Sequence, residues 1–399
     1  MEQAVGLPSR RNRLLHSLLF IAFGGRSSAP KNRQECLCHI AIVGTRGIPA
    51  RYGGFETFAE ELSTRLAARG HTVTVYCRER YSGSTYRGVS LVYLPAWRHK
   101  YFDTIYHTAV STLHLLLHRQ DVALYCNAAT AVFTLWPRLF GIPVALNVDG
   151  LERNRKKWNR AAKLWYLLSE RLATLFPNAV VTDAQVIADY YRERYSKRST
   201  FIPYGADTGE IAGDDTLRRL GLQRGHYFLY VSRMEPENNA LLVRRAFEQI
   251  DTPMKLALVG DAPYADEYIS LVRDTRDPRI ILPGAIYGDG YRELQSHSFA
   301  YIQATEVGGT HPALIEAMGR GSLVLYLNTT ENTEVAGGAG IAFEQHDLAA
   351  KLEQVLRMPE EERQSLRELA KARVAERYSW DAVTDCYERL LLGLKTGTS

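Results

Sequence analysis

Glu306-Val-Gly-Gly-Thr-His-Pro-Ala-Leu-Ile-Glu316 gathers two glycines, a proline and two carboxylates directly after the apolar run Ser298–Gln303. This order predicts a buried strand, a glycine-rich turn, and a helix with Pro312 in its first turn and Glu316 inside. Proline suits that position because its missing N–H would be unpaired there anyway. Glycines let backbone amides approach a ligand, and a helix N-terminus favours an anion. A carboxylate one turn further in suits sugar hydroxyls better than phosphate. The combination points to a ligand that joins phosphate to sugar, as a nucleotide-sugar does.

A second glycine cluster lies near the start of the ordered pattern. Val43-Gly44-Thr45-Arg46-Gly47-Ile48-Pro49 follows an apolar run, and Tyr52-Gly53-Gly54-Phe55-Glu56-Thr57 opens a helical one. Ligands of open α/β sheets sit beyond the carboxyl ends of strands, so this loop faces a crevice. Gly53 and Gly54 can offer bare amides to a diphosphate; a tight strand–helix connection would use the same glycines. A dinucleotide fingerprint fits poorly, because the spacing is not Gly-x-Gly-x-x-Gly. The second strand also ends in Cys77-Arg78, not in an acidic residue that would hold a ribose. Arg233, just after Tyr227–Ser232, reads alone as a surface ion-pair residue, and Glu316 alone as a solvated helix residue. Their placement at strand ends in one crevice favours a site. His114 and His118 are four apart, but no glutamate stands between them as in a metalloprotease helix, and Leu115–Leu117 point to packing. No nucleophile elbow, Cys-x-x-Cys pair or Asp-x-Asp motif argues for hydrolytic, redox or metal-diphosphate chemistry.

The elements that must position these residues alternate along the chain. Strands are predicted at His39–Gly44, Thr72–Cys77, Ser90–Leu94, Asp121–Cys126, Pro143–Val148, Ala179–Thr182 and Thr200–Ile202. A second series follows at Tyr227–Ser232, Lys255–Gly260, Arg279–Leu282, Ser298–Gln303 and Ser322–Leu327. The runs are short and barely alternate, as parallel strands buried on both faces do. Phe55–Arg69 lies between two of them, with Phe55, Phe58, Ala59, Leu62 and Leu66 on one helical stripe and Gly70 placed to end it. Alternation twice over predicts an α/β fold of two Rossmann-like, doubly wound domains with a cleft between them. The divisions expected are a leader over 1–38, an N-terminal acceptor-side domain over 39–204, a C-terminal nucleotide-sugar domain over 205–378, and a final helix over 379–399. Ser379 is a good N-cap for that helix, which is expected to pack back across the domain seam.

Composition sets the class. With 399 residues the chain exceeds one ordinary core, and 46% hydrophobic with 23% charged residues is the balance of a soluble globular enzyme. A net charge of +5 suits an anionic ligand or an acidic membrane surface but is too diffuse for nucleic acid. The odd number of cysteines, with Cys77 and Cys126 at the ends of apolar runs, indicates reduced core thiols and a cytoplasmic protein. Arg10-Arg11-Asn12-Arg13 precedes the apolar run Leu14–Phe23, which is too short to span a bilayer. A disordered leader or a peripheral anchor fits it better than a signal peptide.

The run Ile42-Val-Gly-Thr-Arg-Gly-Ile-Pro-Ala-Arg-Tyr-Gly-Gly-Phe-Glu-Thr-Phe resembles the start of retaining GT-B glycosyltransferases of family four. It is most similar to the rhamnosyltransferase-like branch of bacterial surface polysaccharide synthesis. Asn147-Val-Asp-Gly-Leu-Glu152, Ser232-Arg-Met-Glu-Pro-Glu-Asn-Asn239 and Gly308–Glu316 agree with it in order. The resemblance implies metal-free transfer from a nucleoside-diphosphate sugar, with no cofactor beyond that co-substrate. It implies that Arg233 pairs with the diphosphate as leaving-group charge grows, and that Gly309, Thr310 and His311 present amides to it. Gly53 and Gly54 would close the cradle, Glu316 would hold the ribose, and Asp149 would orient donor sugar or acceptor. Gly284, Ile286 and Tyr287 would border the base.

Two departures from the family pattern stand out. The first glutamate of the family's pair falls on Gly308, with Glu306 out of register, and the lysine after Arg233 is missing, with Asn238 and Asn239 in its region. The rhamnosyltransferase-like branch shares both changes, which implies altered sugar recognition.

The expected activity is therefore retaining transfer from dTDP-L-rhamnose, or from a GDP- or UDP-sugar, to a glycan acceptor that is lipid-linked. A nucleotide-sugar epimerase and a non-catalytic nucleotide- or glycan-binding subunit are the alternatives. Residues 153–176 predict one helix with Arg153, Lys156, Arg160 and Lys163 on one face and Trp158, Ala161, Trp165, Leu168 and Leu172 roughly opposite. It reads as a core helix with a solvated basic side, or as a peripheral contact with anionic lipid.

Overall fold

The computed structural model describes residues 37–50, 53–97, 102–156, 158–262 and 265–398. The run Arg10–Phe23 and the rest of the expected leader up to residue 36 lie outside the described residues, as does Tyr52. The described residues from Cys38 onward belong to one structural unit.

Two sheets organise that unit. The first contains β1 (His39–Val43), β2 (Thr72–Cys77), β3 (Thr85–Tyr86), β4 (Val89–Tyr93), β5 (Val122–Cys126), β6 (Val144–Asn147), β7 (Ala179–Thr182) and β8 (Thr200–Phe201). Their spatial order is β3-β4-β2-β1-β5-β6-β7-β8, parallel throughout except for the β3–β4 hairpin. The second contains β9 (Tyr227–Val231), β10 (Lys255–Val259), β11 (Ile280–Gly284), β12 (Ala300–Gln303), β13 (Leu323–Leu327) and β14 (Ile341–Phe343). Their order is β11-β10-β9-β12-β13-β14, all parallel. Every residue of β5 and of β13 is buried, because helices cover both sheet faces; that coverage is why the strand runs are continuously apolar. The pattern misses β3, a half-exposed Thr-Tyr pair, and β14, three residues following Gly340.

Each sheet reverses its winding once. β1 has β2 on one side and β5 on the other, and β9 has β10 and β12. The carboxyl ends of these strands open a crevice at the reversal. The result is two Rossmann-like α/β domains with a cleft between them.

The last helix, Trp380–Thr396, packs on helix Gly54–Ala68 and on β5 of the first sheet. Phe58 lies edge-on to Tyr204 at 5.4 Å and tilted against Tyr387 at 5.2 Å. His71 and Arg69 reach Glu388 at 2.7 and 2.5 Å, and Lys395 reaches Asp121 at 2.9 Å. Ser379 occupies the N-cap position but makes no side-chain capping bond.

The helix predicted over 153–176 is shorter and rotated. A 3-10 turn covers Glu152–Asn154, and the α-helix runs only from Arg160 to Ala173, with Asn159 capping it by accepting from the Ala162 amide at 2.9 Å. The intervening loop is pinned by ion pairs, which stops helix propagation there. Arg153 binds Glu170 at 3.2 Å and Tyr190 at 2.9 Å, while Lys156 binds Glu306 at 2.8 Å. Tyr166, Ser169, Glu170 and Ala173 form the buried face, so Ala161 and Leu168 face solvent instead of the core.

Candidate active site

The N-termini of two helices meet across the cleft. Helix Gly54–Ala68 follows β1 and helix Pro312–Gly319 follows β12, and a Cβ on Gly54 would stand 3.1 Å from the Pro312 ring. Both ends present the positive end of a helix dipole, so an anion between them would be favoured twice. A cavity of about 830 Å³ lies there. Gly53, Gly54, Asp149, Arg233, Ile286, Tyr287, Gly309, Thr310, His311 and Glu316 all line it. Gly284 does not; it ends β11 and its carbonyl accepts from the Gly260 amide at 3.0 Å, with Ala285 taking the lining position.

Arg233 leaves the carboxyl end of β9, its main chain held by Asn238, whose side-chain amide donates to the Arg233 carbonyl at 2.7 Å. Its guanidinium lies 3.7 Å from Glu235. Asp149 follows β6 with φ +58°, a left-handed conformation that aspartate tolerates better than most side chains. Desolvation and the nearby Glu152 push its carboxyl up to about 6, against the pull of Arg155 and Arg233.

The loop before helix Pro312–Gly319 is pressed against the first domain. A Cβ on Gly150 would overlap the peptide joining Gly308 to Gly309, and one on Gly309 would overlap the Asp183 carboxylate. Only glycine allows backbones this close. Asp183, at the end of β7, accepts the Thr310 amide on Oδ2 at 2.7 Å, and its carbonyl accepts the Thr310 hydroxyl. The Thr310 amide is thus engaged by a carboxylate in this conformation. Burial and Asp149 hold the Asp183 carboxyl well above the ordinary carboxylate range. His311 Nδ1 pairs with Asn332 Oδ1 at 2.6 Å, and burial lowers its pKa to about 4, so its imidazole is neutral.

Glu316 sits one turn into the helix, partly buried where it lines the cavity. Desolvation raises its pKa to about 7, although the Tyr291 hydroxyl donates to it at 2.5 Å. Glu306 lies outside the cavity lining and instead bridges Lys156, Asn239 and Gln345. Tyr291, Asp183 and Arg155 escape motif reasoning. Each meets its partner through the fold, between segments 25 or more residues apart, and no local pattern signals such a meeting. Among the described residues, no group of three or more His, Cys, Asp or Glu side chains is placed to hold a metal ion.

This architecture recurs in solved structures. Sucrose-phosphate synthase from Thermosynechococcus elongatus superposes with a TM-score of 0.73 at 18% identity, covering 90% of this chain and 99% of that one. Anabaena HepE in complex with UDP-glucose gives 0.71 at 15% identity, over 88% and 99%. WaaG, a glycosyltransferase involved in lipopolysaccharide biosynthesis, gives 0.68 at 17% identity, over 89% and 100%. These likenesses define the fold as GT-B. No curated protein matches the chain in sequence. Family models do: Glycosyltransferase Family 4 matches residues 52–210 and Glycosyl transferases group 1 matches residues 225–359. With one model on each domain, the protein is a GT-B glycosyltransferase of this family 4 and group 1 superfamily.

Proposed function

We propose that the protein transfers a sugar, with retention and without a metal, from a nucleoside-diphosphate sugar to a hydroxyl of a glycan acceptor. One observation carries the reading: two glycine-preceded helix ends converge on a cavity that also holds Arg233, with Glu316 one turn deeper. The diphosphate lies between Gly53–Gly54 and Gly309–His311, and Glu316 accepts from the ribose hydroxyls. As the sugar C1–O bond breaks, its electron pair stays on the departing phosphate oxygen. The acceptor oxygen forms the new bond on the same face, and its proton passes to that phosphate oxygen. Such a route needs no protein nucleophile. Arg233 and the helix ends stabilise the charge that develops, commonly a leading contribution to rate. Asp149, flanked by Arg155 and Arg233, orients the reacting sugar or the acceptor.

The best candidate donor is dTDP-L-rhamnose, on motif resemblance; the UDP-glucose held by HepE supports a UDP-sugar as the competitor. The role named for WaaG supports a surface-glycan acceptor, which we take to be lipid-linked. Among the described residues no helix is long and apolar enough to cross a membrane. Peripheral contact is supported by helix Arg160–Ala173, where exposed Leu164 and Leu168 stand beside Arg160, Lys163 and Arg171. Trp136, Leu139 and Phe140 extend the exposed apolar surface, and Arg138 ties their segment to the carbonyls of Leu175 and Phe176.

The test is to incubate the purified protein with dTDP-L-rhamnose, UDP-glucose and GDP-mannose, following melting temperature and release of free nucleoside diphosphate. One donor should stabilise the protein and release its nucleotide when acceptor is added. Isomerisation of the free donor without acceptor would indicate an epimerase instead, and no response to any of the three would defeat the reading.

A further inference from the structure

Arg155 stands on the loop between β6 and helix Arg160–Ala173, and the transfer scheme gives it no role beyond flanking Asp149. It is only 7% exposed. Its Nε donates to Glu152 at 2.5 Å, while Nη1 is 3.8 Å from Glu235 and 3.7 Å from Glu237, both across the cleft in the second domain. Those separations exceed hydrogen-bond range, and Nη1 has no hydrogen-bond acceptor among the described residues. Both Arg155 and Arg233 line the cavity, and the guanidinium groups of both approach Glu235, at 3.8 and 3.7 Å. A buried guanidinium nitrogen without an acceptor, on the cavity wall beside a second arginine, offers donors to an anionic ligand.

The rest of the lining narrows the choice. Arg46 and Arg78 pair with Asp103, and Arg292 pairs with Asp289 and Glu61. The segment after Arg233 supplies no second cation, because Asn238 is spent on the Arg233 carbonyl. Glu316 is bound by Tyr291, whereas Arg155 approaches Glu235 and Glu237 on the segment that follows Arg233. Arg155 therefore faces the wall that carries Arg233.

We propose that Arg155 is a second cationic ligand of the donor diphosphate, gripping its outer phosphoryl group from the first domain while Arg233 acts from the second. The proposal rests on the donor reading above. The nucleoside diphosphate leaves with the electron pair of the broken C1–O bond, and the acceptor proton ends on the same oxygen. The added negative charge then falls between two guanidinium groups on opposite walls, so the diphosphate itself clasps the domains together.

The experiment is calorimetric titration of wild type, Arg155→Met and Arg155→Lys with UDP, dTDP and GDP and with UMP, dTMP and GMP. For the diphosphate that wild type binds best, Arg155→Met should weaken binding roughly 10- to 100-fold, the loss of one charge-assisted contact. The matching monophosphate should be unaffected, and Arg155→Lys should fall between. If Arg155 only holds the loop in place, both nucleotides weaken alike or neither does, and the proposal is overturned. Should Arg155→Met fail to fold, Arg155→Met/Glu237→Gln removes the stranded carboxylate; a folded double variant with full diphosphate affinity overturns the proposal as well. If wild type binds none of the six nucleotides, the donor reading falls and takes this one with it.

Discussion

Glu316→Gln should stabilise the empty protein at pH 8 while impairing donor binding. Burial raises the Glu316 pKa from 4.5 to about 7, so the folded state holds the proton more tightly than the unfolded chain does. Above both values the ionised carboxylate therefore costs the fold about 3 kcal/mol, from a shift of about 2.5 units at 1.36 kcal/mol each. The cost recedes as pH falls through 7 and is below about 1 kcal/mol at pH 5, where the folded protein carries the proton. Glutamine never ionises and can still accept from Tyr291, so the variant should gain about 3 kcal/mol at pH 8 and little at pH 5. Denaturant midpoints of wild type and variant across pH 5–8 measure this directly. A variant no more stable than wild type at pH 8, or one with the same advantage at both pH values, would refute the reasoning. In parallel, calorimetry should find the nucleoside diphosphate bound about tenfold or more weakly, because a carboxylate that accepts from the ribose hydroxyls is lost.

Other outcomes can be checked alongside. Arg233→Ala should lower turnover by about 100- to 1000-fold without altering the circular dichroism spectrum, since it removes charge aimed at the leaving group; turnover near wild type contradicts that assignment. Asp149 titrates near pH 6 and Glu316 near 7, so below pH 6 both are protonated. If donor use needs both ionised, log(kcat/KM) should fall there with a slope of about two in wild type and about one in Asp149→Asn; matching slopes would remove Asp149 from the rate law. Arg160→Glu/Lys163→Glu should lose flotation with anionic liposomes while keeping activity on a water-soluble acceptor, and equal flotation would argue against membrane contact.

Much of the scaffold is legible because burial on both sheet faces writes itself into composition. β5 and β13 are unbroken apolar runs for that reason, and glycines with Pro312 mark where the chain must turn into a helix. The candidate site is legible where one loop carries the signal, as Arg233 after β9 and Glu316 after β12 do. It is illegible where the second domain answers the first. Asp183 meets Thr310 only because the cleft brings β7 against the glycine loop, and Arg155 meets Glu235 and Glu237 for the same reason. The helix misread over 153–176 has that origin too. The basic residues at helical spacing include Arg153 and Lys156, but Glu170 and Glu306 hold them in the turn and loop before the helix, which begins only at Arg160.

The most direct measurement is a crystal structure of the protein soaked with the nucleoside diphosphate it binds best. We expect the diphosphate between Gly53–Gly54 and Gly309–His311, with Arg233 on its oxygens and the ribose hydroxyls on Glu316. A nucleotide bound elsewhere, or an empty cleft at saturating concentration, would contradict the assignment of this cleft as the donor site.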